Sequence, residues 1–431
     1  MIKTFTSLQL HWQILIALLL AVFAGWMSGE EAGILGVSFY QAYDFVGSLF
    51  LNALKMLIVP LIVSSIIVGM MGIGSGDNLS RLGGKTLVYY AATSFIAIVI
   101  GLILVNLISP GIVDGQPIKE VIGLAEVPQG VTEKVEGKGA GDIVDVFLRM
   151  VPPNIVLAAA NGQMLGLIFF SLLFGYFVTK LKGPQGEVMQ NFWQAVLDVM
   201  MLMTNWVMKF APIGVFALVA KVVAVSGLEI FIPLAMFFFT VIAALAVHFI
   251  VSMSFILRYV ARVNPLRHYK AMTSALLTAF STSSSSATLP LTMECVEHKA
   301  GVSNRVTSFT LPLGATVNMD GTALYECVAA MFIAQAYGLD LTITTQFTIV
   351  LVALLTSIGV AGIPSASLVA ISIILGTIGL PLEGVGLILA VDRILDMCRT
   401  AVNVFSDSVA AVVIGRLEGE QGILQKDPAE Y

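Results

Sequence analysis

Charge is what this chain lacks. Only 11% of its 431 residues are Asp, Glu, Lys or Arg, against about 25% in soluble domains, and 58% are apolar. That shortage excludes a soluble globular protein and leaves no nucleic-acid partner to expect. Cysteine is equally scarce. Cys295, Cys327 and Cys398 are an odd number without regular spacing, which gives neither a disulfide framework nor a zinc site, so they read as structural thiols. The four histidines are scattered and point to no metal. No cofactor is expected.

What is present is apolar sequence in long runs. The stretches 12–28, 44–72, 86–109, 163–180, 192–224, 229–257, 303–337 and 384–415 read as bilayer-spanning, so the expected class is an all-α membrane protein. The first has no cleavage-site pattern and reads as a retained span. The net charge of −5 matters less than where Lys and Arg fall. Arg258, Arg262, Arg267, His268 and Lys270 lie together without an acid, so that loop is expected in the cytoplasm. The Gly-rich, mixed to acidic loop 111–146 (Asp114, Glu120, Glu133, Glu136, Asp142) is expected outside. Counting spans from a cytoplasmic N-terminus satisfies both loops and makes both termini cytoplasmic. Short loops and tails point to a multi-pass protein of a prokaryotic plasma membrane.

Two polar, small-residue segments interrupt the last ~160 residues: Ser281–Pro290 and Ser357–Ser367. Each is flanked by apolar stretches of about 10–15 residues, too short to span and long enough to enter and return. Exposed backbone at such a tip survives in a membrane only when buried in protein or lining a cavity. A charged intramembrane helix follows each at a similar distance: Pro290 to Asp320 is 30 residues and Pro364 to Asp396 is 32. This reads as a repeat of re-entrant hairpin plus helix, the second copy inverted, and paired interrupted segments point to a transporter's site at the repeat interface.

The polar residues themselves are few. At about 100° per residue, Asp396, Arg399, Thr400, Asn403 and Asp407 share one helical stripe, with Asp392 at its edge. Ionisable groups at membrane depth are costly unless paired or facing a wet cavity. A stripe carrying both signs suits a ligand carrying both signs, such as an amino acid. In Asn318-Met-Asp320-Gly-Thr322, Gly321 beside Asn and Asp points to a locally unwound turn whose carbonyls are free to bind a cation. Na⁺ is a hard ion, and Asn318, Asp320, Asn403 and Asp407 offer oxygen ligands; the plainer role for Asn and Asp is to join helices by hydrogen bonds.

Tyr90, Thr93 and Ser94 put three hydroxyls on one helix, which in isolation reads as packing or back-bonding. The serine run 283–286 offers hydroxyls and N–H groups near a helix start, suited to a carboxylate, or else forms a flexible kink. A hydrolase nucleophile there lacks a nearby base and a nucleophile-elbow pattern. Burial disfavours the charged form of a carboxyl, so Glu326, six residues after Asp320, can be neutral in one state and ionised in another, unless it simply reaches an aqueous cavity. Lys55, in an apolar run ending at Pro60, reads as structural.

Taken together, the motifs resemble the glutamate/aspartate transporter family, the dicarboxylate/amino acid:cation symporters that include the mammalian excitatory amino acid transporters. The resemblance covers essentially the whole chain: Lys55–Pro60, the Tyr90/Thr93/Ser94 cluster, Ala211-Pro-Ile-Gly-Val-Phe216, the serine-rich hairpin, Asn318–Thr322, Gly362-Ile-Pro364, and Asp396 through Arg399, Thr400 and Asn403 to Asp407.

The resemblance implies eight transmembrane helices plus two re-entrant hairpins, inverted repeats, and an elevator-type homotrimer. Residues 1–85 and 111–225 would be scaffold; 86–110 and 226–418, with hairpins 264–298 and 343–381, would form the moving transport domain; 419–431 would be a cytoplasmic tail. Arg399 would pair with the substrate's side-chain carboxylate, and Asp396 would hold its α-amino group with Asp392 behind it. Asn403 with Ser284 and Ser285 would hold the α-carboxylate, and Thr322, Thr400, Gly362 and Ile363 would add contacts. One Na⁺ site would be formed by Asp407, Asn318, Asn403 and the Gly314 carbonyl, and another by Tyr90, Thr93, Ser94, Asn318 and Asp320. A third would use backbone at Thr316, Ser357, Ile358 and Val360, closed by the second hairpin as external gate. Glu326 would carry a proton.

Within the family, Arg399 argues against the neutral amino acid branch, Asp396 against the C4-dicarboxylate branch, and Asp407 against the proton-only bacterial branch. Ser283 stands where archaeal aspartate transporters carry an Arg, and Ser367 where Gly is common. The expected function is Na⁺-coupled, and also H⁺-coupled, uptake of acidic amino acids. The alternatives are a proton-coupled glutamate or C4-dicarboxylate carrier and, in another class, a ligand-gated ion channel.

Overall fold

The computed structural model describes residues 10–34, 36–71, 77–122, 148, 151–161, 163–227, 231–357, 366–380 and 384–425. Helix α1 (Leu10–Ser28) leads through a two-stranded hairpin, β1 (Gly33–Ile34) and β2 (Val37–Ser38), into α2 (Phe39–Met71). Helix α3 (Asp77–Ile108) ends in a second hairpin, β3 (Ile112–Val113) and β4 (Gln116–Pro117), and the short α4 (Ile118–Ile122). Helices α5 (Ile155–Ala160), α6 (Met164–Val178), α7 (Pro184–Met208) and α8 (Ala211–Ser226) follow. The second half holds α9 (Phe231–Val260), α10 (Pro265–Thr282), α11 (Ser285–Glu294, extended by a π-turn at Cys295–Lys299), α12 (Asn304–Val317) and α13 (Asp320–Ala336). It closes with α14 (Ile343–Ser357), α15 (Ala366–Ile378) and α16 (Val385–Leu417).

Every apolar run of the sequence carries helix, but two runs are each broken in two. The run 192–224 bends by 55° between α7 and α8, and 303–337 breaks between α12 and α13. Among the described residues, three helices are individually long and apolar enough to cross a membrane, Leu82–Ile108, Phe231–Val260 and Val385–Leu417, and α7 with α8 makes a fourth if taken as one bent span. Large apolar side chains face outward, including Phe45, Leu107, Leu202 and Phe239. In water such a surface would drive aggregation; against lipid tails it is the ordinary exterior of a membrane protein. The chain is a predominantly helical, multi-pass membrane protein.

Local chemistry sets several boundaries. Asn264 accepts from the Leu266 N–H, with Pro265 opening α10, and the Ser303 hydroxyl accepts from the Val306 N–H at the start of α12. Between α10 and α11 the chain turns on Ser283, which takes a left-handed conformation (φ 51°), and Ser284 then caps α11 through the Ala287 N–H. The two helices run back alongside each other: Thr282 meets Thr288 at 3.3 Å near the tip, and Ser274 meets Cys295 at 3.2 Å farther down.

Packing separates two groups. Helix α1 lies on α8, and α2 on α6, α7 and α8. Helix α3, although early in sequence, packs along α13, and α16 touches α10, α11, α12 and α13. In its most apolar stretch α16 is 83% buried, against 33% for α3 and 39% for α9, so α16 is the axis of the second half.

That half is strapped at one end. The Glu420 carboxylate accepts from both the Ser303 N–H and the Ser303 hydroxyl, and Glu418 pairs with Lys85 of α3 at 2.6 Å. The Arg267 guanidinium donates to the Leu424 and Gln425 carbonyls, while the Leu424 N–H donates to the Ala300 carbonyl. The segment expected as a tail thus begins as packed structure up to Gln425.

Candidate functional site

Helix α16 supplies a compact charge cluster. Arg399, fully buried, donates to Asp392 Oδ1 at 3.1 Å and to Asp396 Oδ1 at 2.8 Å. Asp396 Oδ2 accepts from Arg393 at 3.3 Å. The Arg399 guanidinium carbon stands 3.8 Å from the centre of the Tyr325 ring of α13, a cation–π contact in a dry setting. Two guanidinium groups thus face two carboxylates, and the formal charges cancel, as burial demands. One turn on, the Thr400 hydroxyl donates to the Asp396 carbonyl.

The second cluster forms where α12 breaks. Asn318 (φ −105°, ψ 85°) and Met319 (φ −114°, ψ 60°) leave helical geometry, and Asp320 opens α13. The unwound turn expected at Gly321 therefore lies two to three residues earlier. Gly321 is helical, and its lack of a side chain serves close packing instead: a Cβ there would stand 2.8 Å from the Arg399 carbonyl oxygen of α16. The Gly321 N–H donates to Asn403 Oδ1 at 2.8 Å, and Asn403 Nδ2 donates to the Thr322 hydroxyl at 3.0 Å.

Around the break, oxygen atoms accumulate. Asp320 Oδ1 accepts from Ser94 at 2.6 Å and lies 3.4 Å from the Thr93 hydroxyl, which is equally far from Asn318 Oδ1. Asp320 Oδ2 accepts from Ser406 at 2.6 Å and meets His248 Nε2 at 3.1 Å. Asn318 Nδ2 donates to Ser406 and to Asp407 Oδ1. Gly314 sits between Asp407 and Tyr90: a Cβ would fall 2.5 Å from Asp407 Oδ1 and 2.7 Å from the Tyr90 hydroxyl, which donates to the Thr310 carbonyl. The Gly314 carbonyl accepts from the Asn318 N–H.

The residues expected for the two cation sites, which share Asn318, stand together here, with Asn318 bonded to Asp407 and close to Thr93. Asn403 stands apart, hydrogen-bonded to the start of α13. Carboxylate, amide, hydroxyl and carbonyl oxygens make a donor set matched to a hard monovalent cation.

Glu326, fully buried in α13, accepts from the Thr356 hydroxyl at 2.8 Å, which ties it to the last turn of α14. Ser284 and Ser285 lie at the turn between α10 and α11, and α11 packs against α16. The Thr316 hydroxyl donates to the Leu313 carbonyl. Ser357 ends α14, while Ile358, Val360, Gly362 and Ile363 lie outside the described residues, as do the side chains of Ser357 and Lys55. Ser367 is buried in α15.

Sequence reasoning did not single out His248, Ser406, Tyr325 and Arg393. A signal existed for Ser406, which adjoins Asp407, and for His248, a lone imidazole in an otherwise apolar run.

Polar groups gathered around a broken helix, inside an apolar exterior, define a membrane transporter. The chain belongs to the sodium:dicarboxylate symporter family, whose family model matches residues 10–417. It is 36% identical to the proton/sodium-glutamate symport protein of Geobacillus stearothermophilus, over 96% of each chain. It is also 36% identical to the proton/glutamate-aspartate symporter of Escherichia coli (95% of this chain, 93% of that one) and to human excitatory amino acid transporter 3 (96% and 87%). The protein is a transporter and not an enzyme.

Proposed function

We propose that the protein is a secondary active symporter that takes up acidic amino acids, glutamate or aspartate, coupled to Na⁺ and H⁺. The observation that carries the proposal is the Asp392–Arg399–Asp396 cluster beside the oxygen-rich break at Asn318–Asp320. A dicarboxylic amino acid needs a cation for its side-chain carboxylate and an anion for its ammonium, and Arg399 and Asp396 supply them in adjacent turns. The names of the relatives, which are glutamate or glutamate-aspartate symporters, support the same substrate class.

Coupling follows from charge. Bound substrate carries a net −1, and Asp407, about two turns beyond Arg399, and Asp320, bonded to Ser406 of the same helix, add negative charge, so cation entry relieves repulsion and raises substrate affinity. Linkage requires substrate to raise cation affinity by the same factor. Asn403 would connect the two events, because it bonds the first turn of α13 from within the substrate stripe. Glu326 would carry the proton, sensed at the end of α14.

In this reading eight spans and two re-entrant hairpins, α10–α11 and α14–α15, form inverted repeats. The group around α16 moves against the α1, α2 and α8 group as an elevator, in a homotrimer of the plasma membrane with cytoplasmic termini. The packing of α3 on α13 supports its place in the moving group.

Uptake of labelled glutamate and aspartate into proteoliposomes tests the proposal. Accumulation should require an inward Na⁺ gradient, and Asp407→Asn should raise the Na⁺ concentration for half-maximal uptake by about tenfold or more, the effect of losing one charged ligand. Accumulation driven by a pH gradient alone, or unchanged Na⁺ affinity in the variant, would overturn the Na⁺ assignment. Flux without accumulation would indicate a channel.

A further inference from the structure

Arg393 is a guanidinium without a role in the proposed site. It lies on α16 beside Asp392, only 8% exposed, in a small cavity lined by Ile14 of α1, Phe50 of α2, Val215 of α8 and Leu368 of α15. Its surroundings there are apolar apart from Asp392, and its Nε has no partner among the described residues. Its Nη1 donates to Asp396 Oδ2 at 3.3 Å; Arg399 holds the other oxygen of that carboxylate at 2.8 Å. One carboxylate thus serves two guanidinium groups, and the looser bond is the one to Arg393.

We propose that Arg393 is a latch on Asp396: it occupies the oxygen that a substrate ammonium must take, and so sets how strongly the transporter selects ligands that bear an amine. This rests on the reading of Asp396 as the ammonium partner.

The argument is competitive. A ligand that brings an ammonium to Asp396 must displace a charge-assisted hydrogen bond. Arg393 is the natural one to yield, because its bond is longer and its removal from Asp396 leaves the Arg399 pair intact. A dicarboxylate without an amine has nothing to place on Asp396 and displaces nothing. Arg393 therefore lowers affinity for amine-bearing ligands only. Its charge acts in a second, opposite way, attracting anionic ligands in proportion to their charge. Ligands of different charge separate the two effects.

The test compares wild type, Arg393→Met and Arg393→Lys by inhibition of labelled aspartate uptake with succinate (no amine, net −2), aspartate (amine, net −1) and asparagine (amine, net 0). Asparagine has no net charge, so the general electrostatic effect is smallest for it, and Arg393→Lys, which keeps the charge, isolates the latch. Its inhibition constant should fall about fivefold in Arg393→Met, the scale of one weak charge-assisted bond, while that of succinate does not fall. Arg393→Lys keeps the charge on a compact, strongly hydrated ammonium without the planar fork. It should leave succinate at its wild-type value and give asparagine a smaller fall than Met does. An asparagine constant that is unchanged or raised in Arg393→Met overturns the proposal. Thermal-shift binding of the same three ligands to purified protein gives the same comparison should a variant lose transport. Wild-type protein that binds neither aspartate nor asparagine would overturn the acidic amino acid reading itself, and the latch with it. Wild-type binding with no change in the variant overturns the latch alone.

Discussion

Arg399 is fully buried, paired to Asp392 and Asp396 and stacked on Tyr325, so its removal does more than empty a site. It leaves buried Asp392 without its guanidinium and Asp396 with Arg393 alone, a change that costs about 3–5 kcal/mol when a buried pair is broken. In Arg399→Cys we expect affinity for glutamate and aspartate to fall by about a hundredfold or more, with neutral amino acids becoming the better competitors of residual uptake. Retained selectivity for acidic substrates would remove Arg399 from the binding site.

Glu326 permits a gentler test. Gln keeps an oxygen to accept from Thr356 Oγ1 and differs mainly in being unable to ionise, so Glu326→Gln should fold normally. Uptake measured from pH 5 to pH 9 should lose its pH dependence in this variant; an unaltered profile would mean the proton travels elsewhere.

At the scale of elements, the contact between α13 and α16 depends on an absent side chain. Gly321→Ala places a methyl 2.8 Å from the Arg399 carbonyl oxygen, which is α16 backbone, and 3.1 Å from Asn403 Oδ1, which the Gly321 N–H itself holds. The helices must separate by a few tenths of an ångström, and we expect a stability loss of about 1–3 kcal/mol together with a larger fractional loss of uptake. Thermal unfolding of the purified variant beside its transport rate separates the two.

Element geometry also shows what the sequence could and could not display. The α16 stripe was legible because its members recur at helical spacing within one segment, Asp392 to Asp407, and polar residues stand out against apolar neighbours. A turn somewhere in Ser281–Pro290 was legible because that polar, small-residue segment interrupts apolar sequence; that it falls on Ser283 was not. The break at Asn318–Met319 was anticipated from composition but displaced onto Gly321, because a glycine reads alike whether it frees a backbone or admits a neighbouring helix. His248 and Ser406 were missed because their partner Asp320 is 72 and 86 residues away, and no local pattern encodes that distance. The bend between α7 and α8 falls at Ala211-Pro-Ile-Gly214, Gly/Pro punctuation inside the apolar run 192–224.

For the whole molecule, the strap after α16 joins pieces that are far apart in sequence: Lys85 on α3, Arg267 on α10, Ala300 and Ser303 before α12. Within it Glu420 serves both donors of Ser303 and lies against Gly415. Glu420→Ala should lower the unfolding midpoint of the detergent-solubilised protein by about 2–4 °C, since charge-assisted hydrogen bonds at a half-buried site are lost. An unchanged midpoint would show the strap to be passive.

The burial of α16 has a further consequence, for how such a protein can change over evolutionary time. A helix touched on nearly every face by α10, α11, α12 and α13 accepts few substitutions without disturbing a neighbour. Drift in α16 is therefore largely closed, and the inherited routes to a new cargo run through the few polar positions whose partners can exchange among themselves. Asp392, Arg393, Asp396 and Arg399 form such a set: four charges that sum to zero, so that a change at one calls for a compensating change at another if the packing is to be kept.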